Sequence, residues 1–418
     1  MNIKVTTLSN GLRVVTDRMD TVETASIGVW VDAGTRHERP EINGVSHLLE
    51  HMAFKGTRRR SARDIAEQIE AVGGHLNAYT SREHTAYYAR ILKEDLALAV
   101  DVIADILQHS TLDAEELARE QAVVVQEISQ AIDTPDDIIF DYFQETAYPD
   151  QAIGRPVLGT AELVRGMTRT TLADYMRDNY GAKRMILAAA GNVEHDRLVD
   201  LAATSFDALP ADQTAFAEPA GYRGGDFREE RDIEQVHVIL GFDGVGYQDP
   251  DFYTASVLAT LLGGGMSSRL FQEVREKRGL VYSIYSYSSS YQDGGLFAIY
   301  AGTGEDEVAE VMPVICEEVM KVILGVEEDE LHRARAQLKA STLMSLESSS
   351  SRCEQLARQM LIYERPVPVE EVVRDIEAVD AAAVRRCAAR LFSTNPTFAT
   401  VGPLNKVEDY DRIVRRLR

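Results

Sequence analysis

Cysteine is scarce: the 418-residue chain has three, Cys316, Cys353 and Cys387. An odd number without C-x-x-C spacing gives no disulfide framework, and a reducing compartment fits it best. Positive charge is in deficit, with 44 Lys and Arg against 67 Asp and Glu and a formal net charge of -23. That disfavours nucleic acid as a partner, because phosphate contacts require basic surface. Long apolar runs are missing as well. Each is broken by charge or glycine well short of the ~20 residues that span a bilayer, so no membrane association is expected. The N-terminus, Met1-Asn2-Ile3-Lys4-Val5, enters an alternating strand pattern with no basic segment and apolar stretch of a secretory signal. The cytoplasm is therefore the expected location, ahead of a mitochondrial matrix.

What is present is ordinary for a globular protein: 45% hydrophobic and 27% charged residues, over a length sufficient for two or more cored domains. An acidic excess favours cationic ligands if it lines a cleft, and only solubility if it is spread over the surface.

The most informative stretch is His47-Leu48-Leu49-Glu50-His51. On a helix, residues i and i+4 share a face, so His47 and His51 can direct two imidazoles to one point. Glu50 lies beside that face, where it can contact a metal-bound water without ligating the metal. This is the H-x-x-E-H order. Two helical histidines can equally be a surface pair or a satisfied core pair, so a third ligand must decide. On a later helix, Glu120 and Glu127 stand two turns apart and share a face. A carboxylate ending the apolar stretch Ala122–Val125 is costly to bury unless paired or ligating, which favours a role for Glu127. A solvated helical face is the alternative for either glutamate.

Taken in order, the chain predicts a hairpin over 5–17 turning at Asn10-Gly11, a strand over 25–31, the histidine helix, a capped helix over 61–72 and strands over 75–80 and 84–91. Helices over 96–107, 113–132, 138–146 and 170–179 and a strand over 185–190 follow. From 208 to 231 the pattern lapses into Pro, Gly, Ala and charge, which reads as a linker. Strands over 236–242, 279–286 and 295–302 and helices over 256–262, 268–277, 305–323 and 328–344 come next. The halves align at an offset of about two hundred residues, the mark of a duplicated domain. Glu70–Asn77 answers Glu276–Tyr282, Asp113–Leu117 answers Glu327–Leu331, and Arg184–Asn192 answers Pro396–Leu404. Only the first half has the histidines; Leu258–Leu262 stands in their place in the second. The expected division is 1–210, a linker over 211–231, and 232–418.

His47 through Thr57, with Glu120, Glu127 and the duplication, resembles the M16 metallopeptidases, the inverted-zincin family. The resemblance spans the chain and is closest to the two-domain branch that includes the mitochondrial processing peptidase β subunit and its bacterial homologues. It implies an α+β fold of two homologous α/β-sandwich domains, each a mostly antiparallel sheet packed against helices, forming half of a clamshell chamber. It further implies one Zn2+ per chain on His47, His51 and Glu127, with Glu50 activating the attacking water and passing its proton to the leaving amine. Glu120 would orient the ligands from behind.

The stretch Gly74–Thr80 is similar to the family's edge strand, where Asn77 and Ala78 would bind a peptide through its main chain. Phe54 resembles a pocket residue, although an aromatic there also suits plain core. Arg275 and Tyr282 match an arginine and a tyrosine that touch substrate from a facing domain. With both motif sets in one chain, the implied partners are peptide substrates and a second copy, each copy completing the other's site. The resemblance thus points to a zinc endopeptidase acting on peptides or short unfolded segments, presequence-like cationic ones included. A peptidase dedicated to one precursor and a non-catalytic assembly subunit of the same fold are the alternatives; such subunits lose the ligands, and this chain keeps all five acidic and histidine positions.

Overall fold

The computed structural model describes residues 2–210 and 217–418. Its strands are β1 (Ile3–Thr7), β2 (Arg13–Arg18), β3 (Thr24–Val31), β4 (His75–Thr80), β5 (Thr85–Leu92), β6 (Met185–Gly191), β7 (Gly225–Glu230), β8 (Gln235–Asp243), β9 (Val281–Ser290), β10 (Gly295–Gly304) and β11 (Thr397–Gly402). They form two sheets, ordered β1-β2-β6-β3-β5-β4 and β7-β11-β8-β10-β9. Each sheet has one parallel pair, β2 with β6 and β7 with β11, and is otherwise antiparallel.

The duplication is visible as topology. Removing β1 leaves one order for both sheets, with β2, β3, β4, β5 and β6 answered by β7, β8, β9, β10 and β11. Even the backbone strain repeats: Gly73 and Gly279, each just before an edge strand, have φ of +69° and +66°. A side chain at either would force an L-residue into the left-handed region.

The first compact unit comprises Met1–Ser129, Arg155–Glu218 and Met344–Pro368; the second comprises Gln130–Gly154, Pro219–Leu343 and Val369–Arg418. The units therefore exchange segments across the division at 211–231. Of that stretch, 211–216 lies outside the described residues, and the remainder is not all linker, because Gly225–Glu230 is strand β7. Four of its six residues are charged, and as a half-buried edge strand it carries no apolar alternation to betray it.

The first unit contains helices α1 (Val45–Ala53), α2 (Ala62–Glu70), α3 (Leu96–His109) and most of α4 (Ala114–Ile132). Its sheet is covered on one face by the core that includes α1 and α3, and on the other by the distant helix Ser349–Ile362, whose Cys353, Leu356, Ala357 and Met360 pack on Trp30, Ile186 and Ala188. In the second unit, α5 (Pro135–Ala147) does the same from the first half of the chain, setting Ile139 and Phe143 on Ile239, Ala298 and Ala399. Among the described residues no helix is long and apolar enough to cross a membrane.

Candidate metal centre

Helix α1 begins where Gly44, at φ +97°, turns the chain; a Cβ there would lie 2.7 Å from the Leu158 carbonyl oxygen. No neighbouring side chain caps it. Glu38, wholly buried, does so from six residues upstream: one carboxylate oxygen accepts from the Gly44 amide (2.8 Å) and the Asn43 side chain (2.9 Å), the other from the Ser46 amide (2.8 Å). A buried anion thus satisfies orphan donors at the positive end of the helix. Val45, Leu48, Leu49, Met52 and Ala53 bury one face, which fixes the rotation of the helix and leaves His47 and His51 on the other.

Helix α4 opens at Asp113, whose carboxylate accepts from the Glu115 and Glu116 amides. Its buried residues, Leu117, Glu120, Val124 and Ile128, form a single stripe. Glu120 lies within that stripe and Glu127 at its margin, with 38% of its side chain exposed. The burial argument made for Glu127 from the sequence applies more fully to Glu120, whose side chain is 8% exposed, than to Glu127, which shares its face and stays partly open.

The two helices bring His47, His51 and Glu127 together, with a ligand atom from each within 4.8 Å of the others. One Glu127 oxygen stands 3.7 Å from His47 Nε2 and 3.6 Å from His51 Nε2, too far for hydrogen bonds. Donors held about 2.0–2.2 Å from a tetrahedral zinc stand roughly 3.3–3.6 Å apart. Two imidazole nitrogens and a carboxylate at this spacing fit zinc and leave a fourth position. Burial, reinforced by the neighbouring His51, lowers the His47 pKa to about 4, so its ring is neutral and able to ligate at neutral pH.

Glu50 is half-buried beside this set, and burial raises its carboxyl pKa. The Thr80 hydroxyl, at the end of β4, donates to it at 2.7 Å. Behind His51, the ring Nδ1 lies 3.1 Å from one Glu120 oxygen, and the other Glu120 oxygen is 2.7 Å from Lys55 Nζ.

Of the remaining expected residues, Asn77 is exposed and Ala78 half-buried on β4, which pairs with β5 alone at the rim of the sheet. Phe54 ends α1 and packs on the core, its ring 6.3 Å from Tyr87. In the second unit, Arg275 is exposed with its guanidinium 4.8 Å over the Phe271 ring, inside a wider-wound turn spanning Phe271–Glu276. That turn replaces part of the regular helix expected over 268–277. Tyr282, on edge strand β9, is 76% exposed. Sequence reasoning missed Glu38, Lys55 and Thr80. The local signal for Glu38 was the lack of any capping side chain at Gly44; Thr80 and Lys55 gave none, because their partners come from other elements.

Comparison with known proteins gives a consistent picture. Residues 13–161 match the family described as Insulinase (Peptidase family M16), and residues 166–338 the Peptidase M16 inactive domain. An uncharacterized zinc protease of Streptomyces coelicolor is 40% identical over 96% of this chain and 90% of its own. One from Bacillus subtilis is 38% identical over 96% and 98%. The human mitochondrial-processing peptidase subunit beta is 38% identical over 98% and 86%. A chain of complex III2 from Candida albicans shares the fold, with a TM-score of 0.87 over 99% of both chains at 22% identity.

Proposed function

We propose, from the premise that this chain belongs to peptidase family M16, that it is a zinc-dependent endopeptidase whose metal site is His47, His51 and Glu127 and whose general base is Glu50. The observation that carries this reading is the convergence of a carboxylate oxygen on two imidazole Nε2 atoms, 3.7 and 3.6 Å away, with one ligand atom from each residue within 4.8 Å of the others, beside a carboxylate held by Thr80.

Zinc held there would acidify a water and polarise the scissile carbonyl. Glu50 takes the proton of the attacking water and delivers it to the leaving amine. Burial, by raising its pKa, brings the carboxyl toward the range where it can do both. Thr80 fixes which way that carboxylate points. Glu120 orients His51 through Nδ1. The unpaired side of β4, with Asn77 and Ala78, accepts an extended peptide by strand addition, which gives grip with little demand on sequence.

The substrates in this reading are peptides or short unfolded segments, cleaved in a chamber formed by two copies of the chain. Arg275 and Tyr282 of one copy serve the zinc site of the other; among the described residues no carboxylate pairs with Arg275, which leaves its guanidinium available. The net charge of -23 favours cationic substrates. The name of the human relative favours a processing role as a second reading.

The test is mass-spectrometric mapping of products from a mixed peptide pool, with zinc-loaded protein, chelated protein and Glu50→Gln in parallel. Cleavage that requires zinc and Glu50 is expected; cleavage that survives both perturbations overturns the reading. A single cleaved precursor within the pool would mark the dedicated alternative. Mixing Glu50→Gln with Tyr282→Phe subunits should restore activity in a fraction of dimers, and no rescue rejects the shared site. No gain from Arg or Lys near the scissile bond rejects the cationic preference.

A further inference from the structure

The two histidines are not supported alike. Among the described residues His47 Nδ1, which is buried, has no hydrogen-bond partner, whereas His51 Nδ1 faces Glu120. Glu120 in turn has two partners among the described residues, one per oxygen: His51 at 3.1 Å and Lys55 at 2.7 Å. Lys55 has no other partner among them. A carboxylate with 8% of its side chain exposed is costly unless paired. Lys55 also pins one end of the carboxylate, so that the other oxygen stays in line with His51. An imidazole whose Nδ1 donates to that oxygen carries its lone pair on Nε2, the nitrogen 3.6 Å from Glu127.

We propose that Lys55 is a positioning residue of the metal centre: by holding Glu120 between its ammonium and His51, it fixes the tautomer and ring orientation of His51 and so sets zinc affinity. This rests on the zinc site proposed above. Lys55 touches neither metal nor substrate, and its effect passes through Glu120 alone.

Its test is a double-mutant cycle on zinc affinity, measured on the full-length apo protein by competition for zinc with a chromophoric chelator, and circular dichroism verifies that each variant is folded. Lys55→Met is expected to weaken zinc binding about 10- to 100-fold, the usual effect of disturbing a ligand's supporting partner. Lys55→Arg, which keeps the charge, should recover most of that loss. In a Glu120→Gln background, where no anion needs holding, Lys55→Met should change affinity less than about threefold. Lys55→Gln replaces Lys55→Met in the cycle if the latter does not fold. Undiminished affinity in Lys55→Met overturns the proposal, as does an equal loss in both backgrounds, which would mean that Lys55 acts by some other route. A wild-type protein that takes up no zinc instead overturns the metal-site reading on which the proposal stands.

Discussion

Thr80→Val is the sharpest single test of how Glu50, the proposed general base, is held. Thr80 closes β4 opposite Thr85, so pairing with β5 fixes the origin of its hydroxyl, and that hydroxyl donates to Glu50 at 2.7 Å. Valine keeps the branched shape and removes only the donor. A hydrogen bond to a charged group contributes about 1.5–3 kcal/mol, and if it is lost in the transition state the rate falls roughly 10- to 150-fold. The loss should appear in kcat with KM changed less than about twofold, because Thr80 aligns Glu50 and does not hold the substrate. Zinc content should not change. The bond to Thr80 favours the ionised carboxyl while burial opposes it, so its removal raises the Glu50 pKa and moves the acid limb of kcat/KM to higher pH. Thr80→Ser, with the donor restored, should return kcat to within a few-fold of wild type. Steady-state kinetics on a fluorogenic peptide decides the matter. An unaltered kcat in Thr80→Val, or a loss that serine does not repair, refutes the positioning argument.

Three further outcomes are expected. Glu38→Ala leaves the Gly44 and Ser46 amides and the Asn43 side chain without their acceptor in a buried place, and should destabilise the first unit by about 3–5 kcal/mol; an unfolding midpoint matching wild type would show that water serves as the cap. Burial, with Arg184 and Arg36 nearby, lowers His37 to about 3, so its contribution to stability is full above the unfolded value near 6.5 and is lost as pH falls below it; replacing His37 by Asn should therefore reduce the loss of unfolding free energy between pH 7 and 5 by about 2 kcal/mol, and urea titrations showing equal losses would contradict this. Glu127→Ala removes a proposed ligand outright and should weaken zinc binding by more than about 100-fold, beyond the usual effect of a supporting residue; zinc retained through dialysis against a weak chelator would exclude Glu127 from the site.

Helical periodicity made much of the centre legible from sequence. His47 and His51, and Glu120 and Glu127, are related within their own helices, and a period of 3.6 suffices to put each pair on one face. The duplication was legible too, because matching stretches of the two halves carry the same local strand, turn and cap signals, β7 excepted. What stayed hidden depends on the meeting of distant segments. Glu38 caps α1 from beyond a separate 3-10 turn, Pro40–Ile42, Lys55 meets Glu120 across sixty-five positions, and Thr80 reaches Glu50 from a strand. The exchange of α5 and Ser349–Ile362 between the units was hidden too. An amphipathic helix announces that it will bury a face, but not which sheet it will bury it on.

The asymmetry between the halves lies in what the half-open side of one helix presents. The counterpart of α1 is the helix Phe252–Gly263, placed likewise between the second and third strands of its repeat. It buries Thr254, Ala255, Val257, Leu258, Ala259, Leu261, Leu262 and Gly263 against neighbours that include β9 and the helices Val369–Glu377 and Ala381–Phe392, and its half-buried side presents Phe252, Tyr253, Ser256 and Thr260, with no histidine among them. Ligands need a face that packing does not claim, yet one dry enough to keep an imidazole neutral. Helix α1 has that balance: its histidine side chains remain 13% and 18% exposed while Leu48, Leu49 and Met52 anchor the reverse side. Arg275 and Tyr282, the exposed candidates of the second unit, lie in the turn that follows Phe252–Gly263 and on the edge strand. One fold, used twice, thus presents histidines on the half-open side of α1 and aromatic and hydroxyl side chains on that of its counterpart.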